Sequence, residues 1–260
     1  MIDILDILKE VAKNYSFELT ALFLIFFLSH TTEAATGFGS NIISVSLGAL
    51  LLPIDMLIPV ILPVNIFLSI YVVIFYGKHI DKKVLGTRIL PFMAAGMAVG
   101  LTIFNIADFS ALKKWFGVFV ICLTVFELVR LFMNHGFIKS KALSLKESAA
   151  WLFSAGVIHG IYASSGPLVV YYAGKQFDDK KTFRSTLASL WLFLTITLMI
   201  SFIATGKLNG ETLAMSFILL PSMVLGVVAG EYIHRIISEK TFRLIIYAIL
   251  LFAGLSLITG

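Results

Sequence analysis

Two short stretches hold the residues best suited to chemistry, Thr36-Gly37-Phe38-Gly39-Ser40-Asn41 and Ala163-Ser164-Ser165-Gly166-Pro167. Each mixes glycine with hydroxyl or amide side chains, and each interrupts an apolar run. The first run extends from near Phe17 to near Leu52, roughly twice what one helix needs to cross a ~30 Å hydrocarbon core. The run must break, and glycine accepts backbone angles that other residues resist. A helix that restarts after a break offers unpaired N–H groups and about half a positive charge. Ser40 and Asn41 open one such helix, and Pro167 suits the first position of another. Their hydroxyl and amide groups can cap a helix or donate to a ligand. Two such starts aimed at one point make an anion cradle. On this reading Gly37, Phe38, Gly39, Ser40, Asn41, Ser164, Ser165 and Gly166 bind substrate. The bland alternative is that the serines only cap their helices.

Other polar residues sit at the same depth. Glu33 lies one to two turns before the first break. A carboxylate there is costly when charged and often marks function, so Glu33 is a candidate proton carrier; the alternative is a hydrogen bond within the hairpin. His30 and His159 each precede a break and read first as packing histidines, with His159 kept beside Glu33 as a coupling or gating residue. Arg184 either draws anions from the cytosol or is a plain loop-end base. Asn65 either reaches the site or bonds two helices together, and Tyr171 either lines the cavity or packs. Glu127 and Arg130 have the spacing of a local helical ion pair and receive no transport role.

Ten helical segments are needed to place these residues. They run from about Phe17 to Thr32, Ser40 to Leu52, Met56 to Tyr76, Arg88 to Phe104 and Leu112 to Met133. The second five run from Ala149 to Tyr162, Leu168 to Ala173, Phe183 to Ala204, Leu213 to His234 and Phe242 to Leu257. The second and seventh are too short to span alone. Each pairs with its predecessor as a broken or re-entrant hairpin, tolerated where protein or a polar cavity covers the break. Residues 1–16 alternate Asp3, Asp6, Lys9, Glu10 and Lys13 with Ile and Leu at helical spacing, which predicts an amphipathic helix. The units are then 1–16, a first repeat 17–133, a loop 134–148 and a second repeat 149–260.

The halves echo each other. Leu90-Pro91 followed by Gly96 and Gly100 returns as Leu220-Pro221 followed by Gly226 and Gly230. Each Gly-x-x-x-Gly permits close helix contact. Loop charges switch sides between the halves. Lys78, Lys82, Lys83 and Arg88 follow the third segment, whereas only Lys207 occupies the equivalent loop of the second half. Asp55 alone follows the second segment, whereas Lys175, Lys180, Lys181 and Arg184 follow its counterpart. Basic loops favour the cytosol, so the repeats are expected to be inserted upside down to each other, with both termini outside. Lys113 and Lys114 fall against this assignment.

Composition agrees with an all-α polytopic membrane protein. Of 260 residues, 59% are apolar and 13% charged, about half the charge of a soluble domain, and mean hydropathy is +0.98. A β-barrel would need ~10-residue segments of alternating polarity. The net charge of +5 reflects cytosolic loops, so nucleic acid is not an expected partner. The single cysteine, Cys122, permits no internal disulfide and reads as a packed small hydrophobe. There is no Walker A sequence, no Cys pair and no His-Glu-x-x-His, so neither ATPase chemistry nor a cofactor is expected.

At its two breaks the sequence resembles the TauE/SafE family of the toluene-sulfonate uptake permease superfamily. Thr36-Gly37-Phe38-Gly39 matches the family's Gly-rich motif, and Ser165-Gly166-Pro167 its second-half Ser/Thr-Gly-Pro motif. The resemblance spans about residues 17–258. Glu33 stands where members more often have Gly, Ala or Gln. The resemblance implies a non-enzymatic secondary transporter of the bacterial inner membrane for sulfite or organosulfonates such as sulfoacetate. Its partners would be a small anion and lipid, with protons or sodium as coupling ion. Rival readings are a passive anion channel, an intramembrane serine hydrolase built on Ser164-Ser165 and His159, and a non-transporting receptor.

Overall fold

The computed structural model describes residues 4–36, 39–133, 143–236 and 239–259, and the regular elements among them are helical throughout. Gly37 and Phe38 lie outside the described residues. A short helix α1 (Ile4–Asn14) meets α2 (Ser16–Thr36) at 91°. Next come α3 (Ser40–Gly48), α4 (Ile54–Tyr76), α5 (Lys82–Val84), α6 (Leu90–Ile106) and α7 (Phe109–Phe132). The chain continues as α8 (Leu145–Tyr162), α9 (Gly166–Gln176), α10 (Lys180–Ala204), α11 (Gly210–Ile236) and α12 (Glu239–Thr259). A π-helical turn, Leu85–Ile89, joins α5 to α6, so the rod runs from Lys82 to Ile106 rather than starting at Arg88. By length and composition, five helices among the described residues can each cross a membrane, and α1 with α2 makes a sixth candidate.

Helix starts fall into two kinds. Asp108 accepts from the Ala111 amide at 2.8 Å to cap α7, Ser144 and Glu147 form a reciprocal capping box on α8, and Asp179 accepts from the Thr182 amide at 2.8 Å on α10. Each supplies acceptors to amides that the helix itself leaves unpaired. The starts of α3 and α9 have no side-chain cap, and neither has that of α4, which follows Pro53.

Both short helices double back along their predecessors. Ser44 on α3 donates to Ser29 on α2 at 2.8 Å, and Gly48 faces Leu22. The Trp151 indole on α8 donates to the Leu168 carbonyl of α9 at 2.7 Å, and its ring lies 5.0 Å from that of Tyr171. The second of these helices is longer than expected, beginning at Gly166, so that Pro167 is its second residue.

Glycines set the closest helix crossings. A methyl group on Gly96 or Gly100 of α6 would run into the Phe153 or Val157 carbonyl of α8, and one on Gly156 or Gly160 would meet Met93 or Met97 in return. Gly226 and Gly230 of α11 meet the Phe27 and Thr31 carbonyls of α2. In both pairs residue numbers rise in the same direction along both helices. The first helix of each hairpin is thus clasped by the Gly-x-x-x-Gly helix of the other half. Elsewhere α4 packs on α10 and α7 on α12. Cys122 is exposed on α7 instead of packed, because the α7 face that meets α12 is formed by Gly117 and Ile121.

The glycine crossings yield a direct prediction. Gly96→Ala forces backbone against backbone and should destabilise by about 3 kcal/mol, the upper part of the overpacking range. Gly86→Ala meets open space and should leave thermal unfolding in detergent almost unchanged. Equal melting temperatures for the two variants would contradict the packing described.

Candidate anion site at the meeting of two helix starts

The break between α2 and α3 ends on Gly39, whose φ of +108° precedes the first residue of α3. Only glycine adopts such an angle without strain. At the second break the left-handed residue is Ala163, with φ +51°, and not a glycine. Its methyl group makes this conformation cost roughly 1–2 kcal/mol, the kind of local strain that concentrates at functional sites. Ala163 closes α8 by donating to the His159 carbonyl at 2.7 Å.

The two breaks touch. Asn41, in the first turn of α3, donates from Nδ2 to the Ala163 carbonyl at 2.6 Å. Asn65 on α4 donates in turn to Asn41 Oδ1, and Asn65 Oδ1 pairs with His30 Nε2 at 3.0 Å. One polar chain therefore links α2, α4, α3 and the turn into α9.

Against this chain lies a cavity of about 50 Å³. A single water needs about 10–15 Å³ of such space, so the cavity admits a ligand of roughly four or five small atoms. Of the residues singled out from the sequence, Glu33, Gly39, Ser40, Asn41, Asn65, His159, Ser164 and Gly166 line it. Ser69 on α4 and Trp191 and Thr195 on α10 line it as well and had not been singled out. Among the described lining residues there is no Lys or Arg, so hydroxyl, amide and imidazole groups and the Glu33 carboxylate supply the polarity.

Two of these groups are buried without a partner. His159 is 2% exposed and Ser164 1% exposed. His159 Nδ1 pairs with Ser165 Oγ at 3.1 Å and its ring stacks on Trp191 at 5.9 Å and 15°. His159 Nε2 and Ser164 Oγ have no hydrogen-bond partner among the described residues. A buried polar group left unpaired costs about 1–3 kcal/mol, so each such group calls for a reason.

Three expected residues stand apart from the cavity lining. Ser165 lies behind His159 as its hydrogen-bond partner and makes no cap bond to α9. Tyr171 packs against Trp151, with the Lys175 ammonium 4.5 Å from its ring centre. Arg184 sits 5.9 Å over the Tyr76 ring near the start of α10. A second cavity, of about 40 Å³, adjoins Gly39 and Pro167 from the side of α7 and α12. Ile42, Ile43, Leu123, Ile246 and Leu250 dominate it. Its carboxylate, Glu127, is engaged by Arg130 and by the Tyr247 hydroxyl, each at 3.4 Å.

The model of the sulfite exporter TauE/SafE family matches residues 22–257, from the middle of α2 to the end of α12. A probable inner membrane transporter protein, TsaS of Comamonas testosteroni, is 25% identical over 170 residues, which is 65% of this chain and 69% of that protein. No solved structure matches. With both broken hairpins and all the long apolar helices inside the matched region, the chain is a multi-pass membrane protein that belongs to the TauE/SafE sulfite exporter family.

Proposed function

We propose that the chain is a secondary transporter of the bacterial inner membrane that carries a small sulfur oxyanion, sulfite or an organosulfonate such as sulfoacetate. The anion binds between the starts of α3 and α9 and reaches each side of the membrane in turn. The observation that carries this reading is the pair of buried polar atoms without a partner among the described residues, His159 Nε2 and Ser164 Oγ, on a cavity shared with two helix starts that lack a side-chain cap. Sulfite, with four heavy atoms, fits the space and supplies acceptors to the Ser164 hydroxyl and the helix amides, whereas sulfoacetate, with eight, needs the cavity to widen. Helix starts hold anions through amide N–H groups, and neutral donors release the guest more readily than a fixed cluster of bases would. The relative from Comamonas testosteroni, a probable transporter, agrees with this direction.

Alternating access rests on two inverted repeats, 17–133 and 149–260. Supporting it, each hairpin is clasped by the Gly-x-x-x-Gly helix of the opposite half, through glycines at matching positions. Under that repeat Glu33 corresponds to His159, Asn65 to Trp191 and Ser69 to Thr195. Both hairpins would be re-entrant, with irregular backbone only where it meets a polar cavity. Glu33 carries a proton in this scheme. Its carboxylate lines an anion cavity, and a charged carboxylate and a charged guest in one small space repel each other. The anion therefore enters with Glu33 protonated.

The two glycines of the breaks do not make equivalent tests. Any side chain at Gly39 is strained by its φ, whereas a side chain at Gly166 meets nothing within 4 Å. Gly166→Val should keep the melting temperature of the ligand-free protein and abolish saturable anion uptake in proteoliposomes. Sulfite at about 100 times its Kd should raise the wild-type unfolding free energy by about 2.7 kcal/mol and leave Gly166→Val unmoved. Normal flux in a folded Gly166→Val protein would remove the site. For coupling, Glu33→Gln should flatten the pH dependence of uptake; an unchanged pH profile would show that Glu33 is not the carrier.

A further inference from the structure

We propose that the second cavity is a subsite for the apolar tail of the guest, which makes the preferred substrate a short alkanesulfonate with an uncharged chain. The sulfonate head sits among the polar groups of the first cavity. Its chain passes between Gly39 and Pro167 into the space beside α7 and α12. This inference rests on the proposed reading of the first cavity as an anion site and gives the same molecule a second point of attachment.

The two cavities share a wall. Gly39, Ile42 and Pro167 line both, so the wall is one residue thick at the starts of α3 and α9. It also lacks a side chain there. Among the described residues, a methyl group added to Gly39 would find Thr32 Cγ2 as its nearest neighbour, at 4.0 Å. Thr32 lines the second cavity and not the first. The space left by the missing side chain therefore opens toward the second cavity.

The second cavity offers carbon to whatever enters it. Ile43, Leu123, Ile246 and Leu250 line it and do not line the first. Its hydroxyl groups are used elsewhere. Thr32 donates to the Leu28 carbonyl at 2.8 Å, Thr124 to the Val120 carbonyl at 2.7 Å, and Tyr247 to Glu127. The other Glu127 oxygen meets Arg130, and Arg243 completes the polar part of the lining. A charged tail would have to give up its water against these aliphatic walls, whereas a hydrocarbon tail gains by leaving water. The two spaces thus suit the two ends of one amphipathic anion. The first, of about 50 Å³, is filled by methanesulfonate. The second, of about 40 Å³, takes about three further carbons at the space one small atom needs.

The test measures binding of straight-chain alkanesulfonates to the full chain in lipid nanodiscs by calorimetry. These ions share one headgroup and one charge and differ only in tail length. Affinity should rise about fourfold with each carbon from methanesulfonate to butanesulfonate, the value of about 0.8 kcal/mol per buried CH₂. Hexanesulfonate should gain nothing over butanesulfonate, because the cavity is then full. Leu123→Phe should fill the second cavity and abolish the gain with length while leaving methanesulfonate binding unchanged. If that variant does not fold, the milder Ile246→Val should extend the gain by about one carbon. Methanesulfonate binding with no dependence on length overturns the tail subsite and leaves the anion site standing. A gain that continues undiminished through hexanesulfonate, or that the folded variant does not alter, also overturns it. No binding of sulfite or of any sulfonate sinks the anion reading, and this inference with it.

Discussion

The structure depends on how the backbone amides at two interrupted helices are satisfied away from water. Ordinary helix starts in this chain recruit Asp108, Ser144 or Asp179. The starts of α3 and α9, like that of α4, recruit no side chain, but these two face a small cavity lined by further polar atoms without a partner among the described residues. In a low-dielectric setting such groups are expensive to leave unmade. The fold concentrates that expense at one point and joins the two breaks there through Asn41 and Ala163. An acceptor-rich guest is the chemical complement of what remains.

The rest of the molecule holds this point in place. The glycine crossings of α6 on α8 and α11 on α2 bring helix axes together so closely that no side chain fits between them. Because each crossing joins one half to the other, motion of a hairpin relative to its own half means motion with the opposite half. The π-helical turn at Leu85–Ile89 and the prolines inside α4 and α11 lie in the helices that flank the hairpins, where helix geometry is least regular. The second cavity abuts the other side of the same two breaks, so the α3 and α9 starts separate two small spaces of different character, one polar and one largely apolar.

Much of this was legible in the sequence. Excess apolar length between Phe17 and Leu52 demanded a break, and glycine with Ser40 and Asn41 located it. The paired Gly-x-x-x-Gly segments announced close packing, although not that each would clasp the opposite half. The second break was located correctly for an incomplete reason: Ala163, a residue with no special propensity for positive φ, makes the turn. Tyr171 and Arg184 were attractive by type, yet α9 points Tyr171 at Trp151, and Arg184 lies beside Tyr76, away from the cavity. Trp191 and Thr195 were overlooked because a tryptophan and a threonine in an apolar helix look like packing. Their spacing of four residues matches Asn65 and Ser69, which was the signal available. His30 read as a packing residue, and it is fully buried; its bond to Asn65, 35 residues away, is a long-range contact that the sequence does not record.

The most direct test of the central claim is to locate the guest. Selenite is a heavier analogue of sulfite, and anomalous scattering from crystals soaked in it marks its position without reference to any assumed site. The account predicts one selenium peak between the starts of α3 and α9, within hydrogen-bond reach of Ser164 and His159. A peak in the cavity beside Glu127 and Tyr247, or no peak in protein that transports selenite saturably, would contradict it.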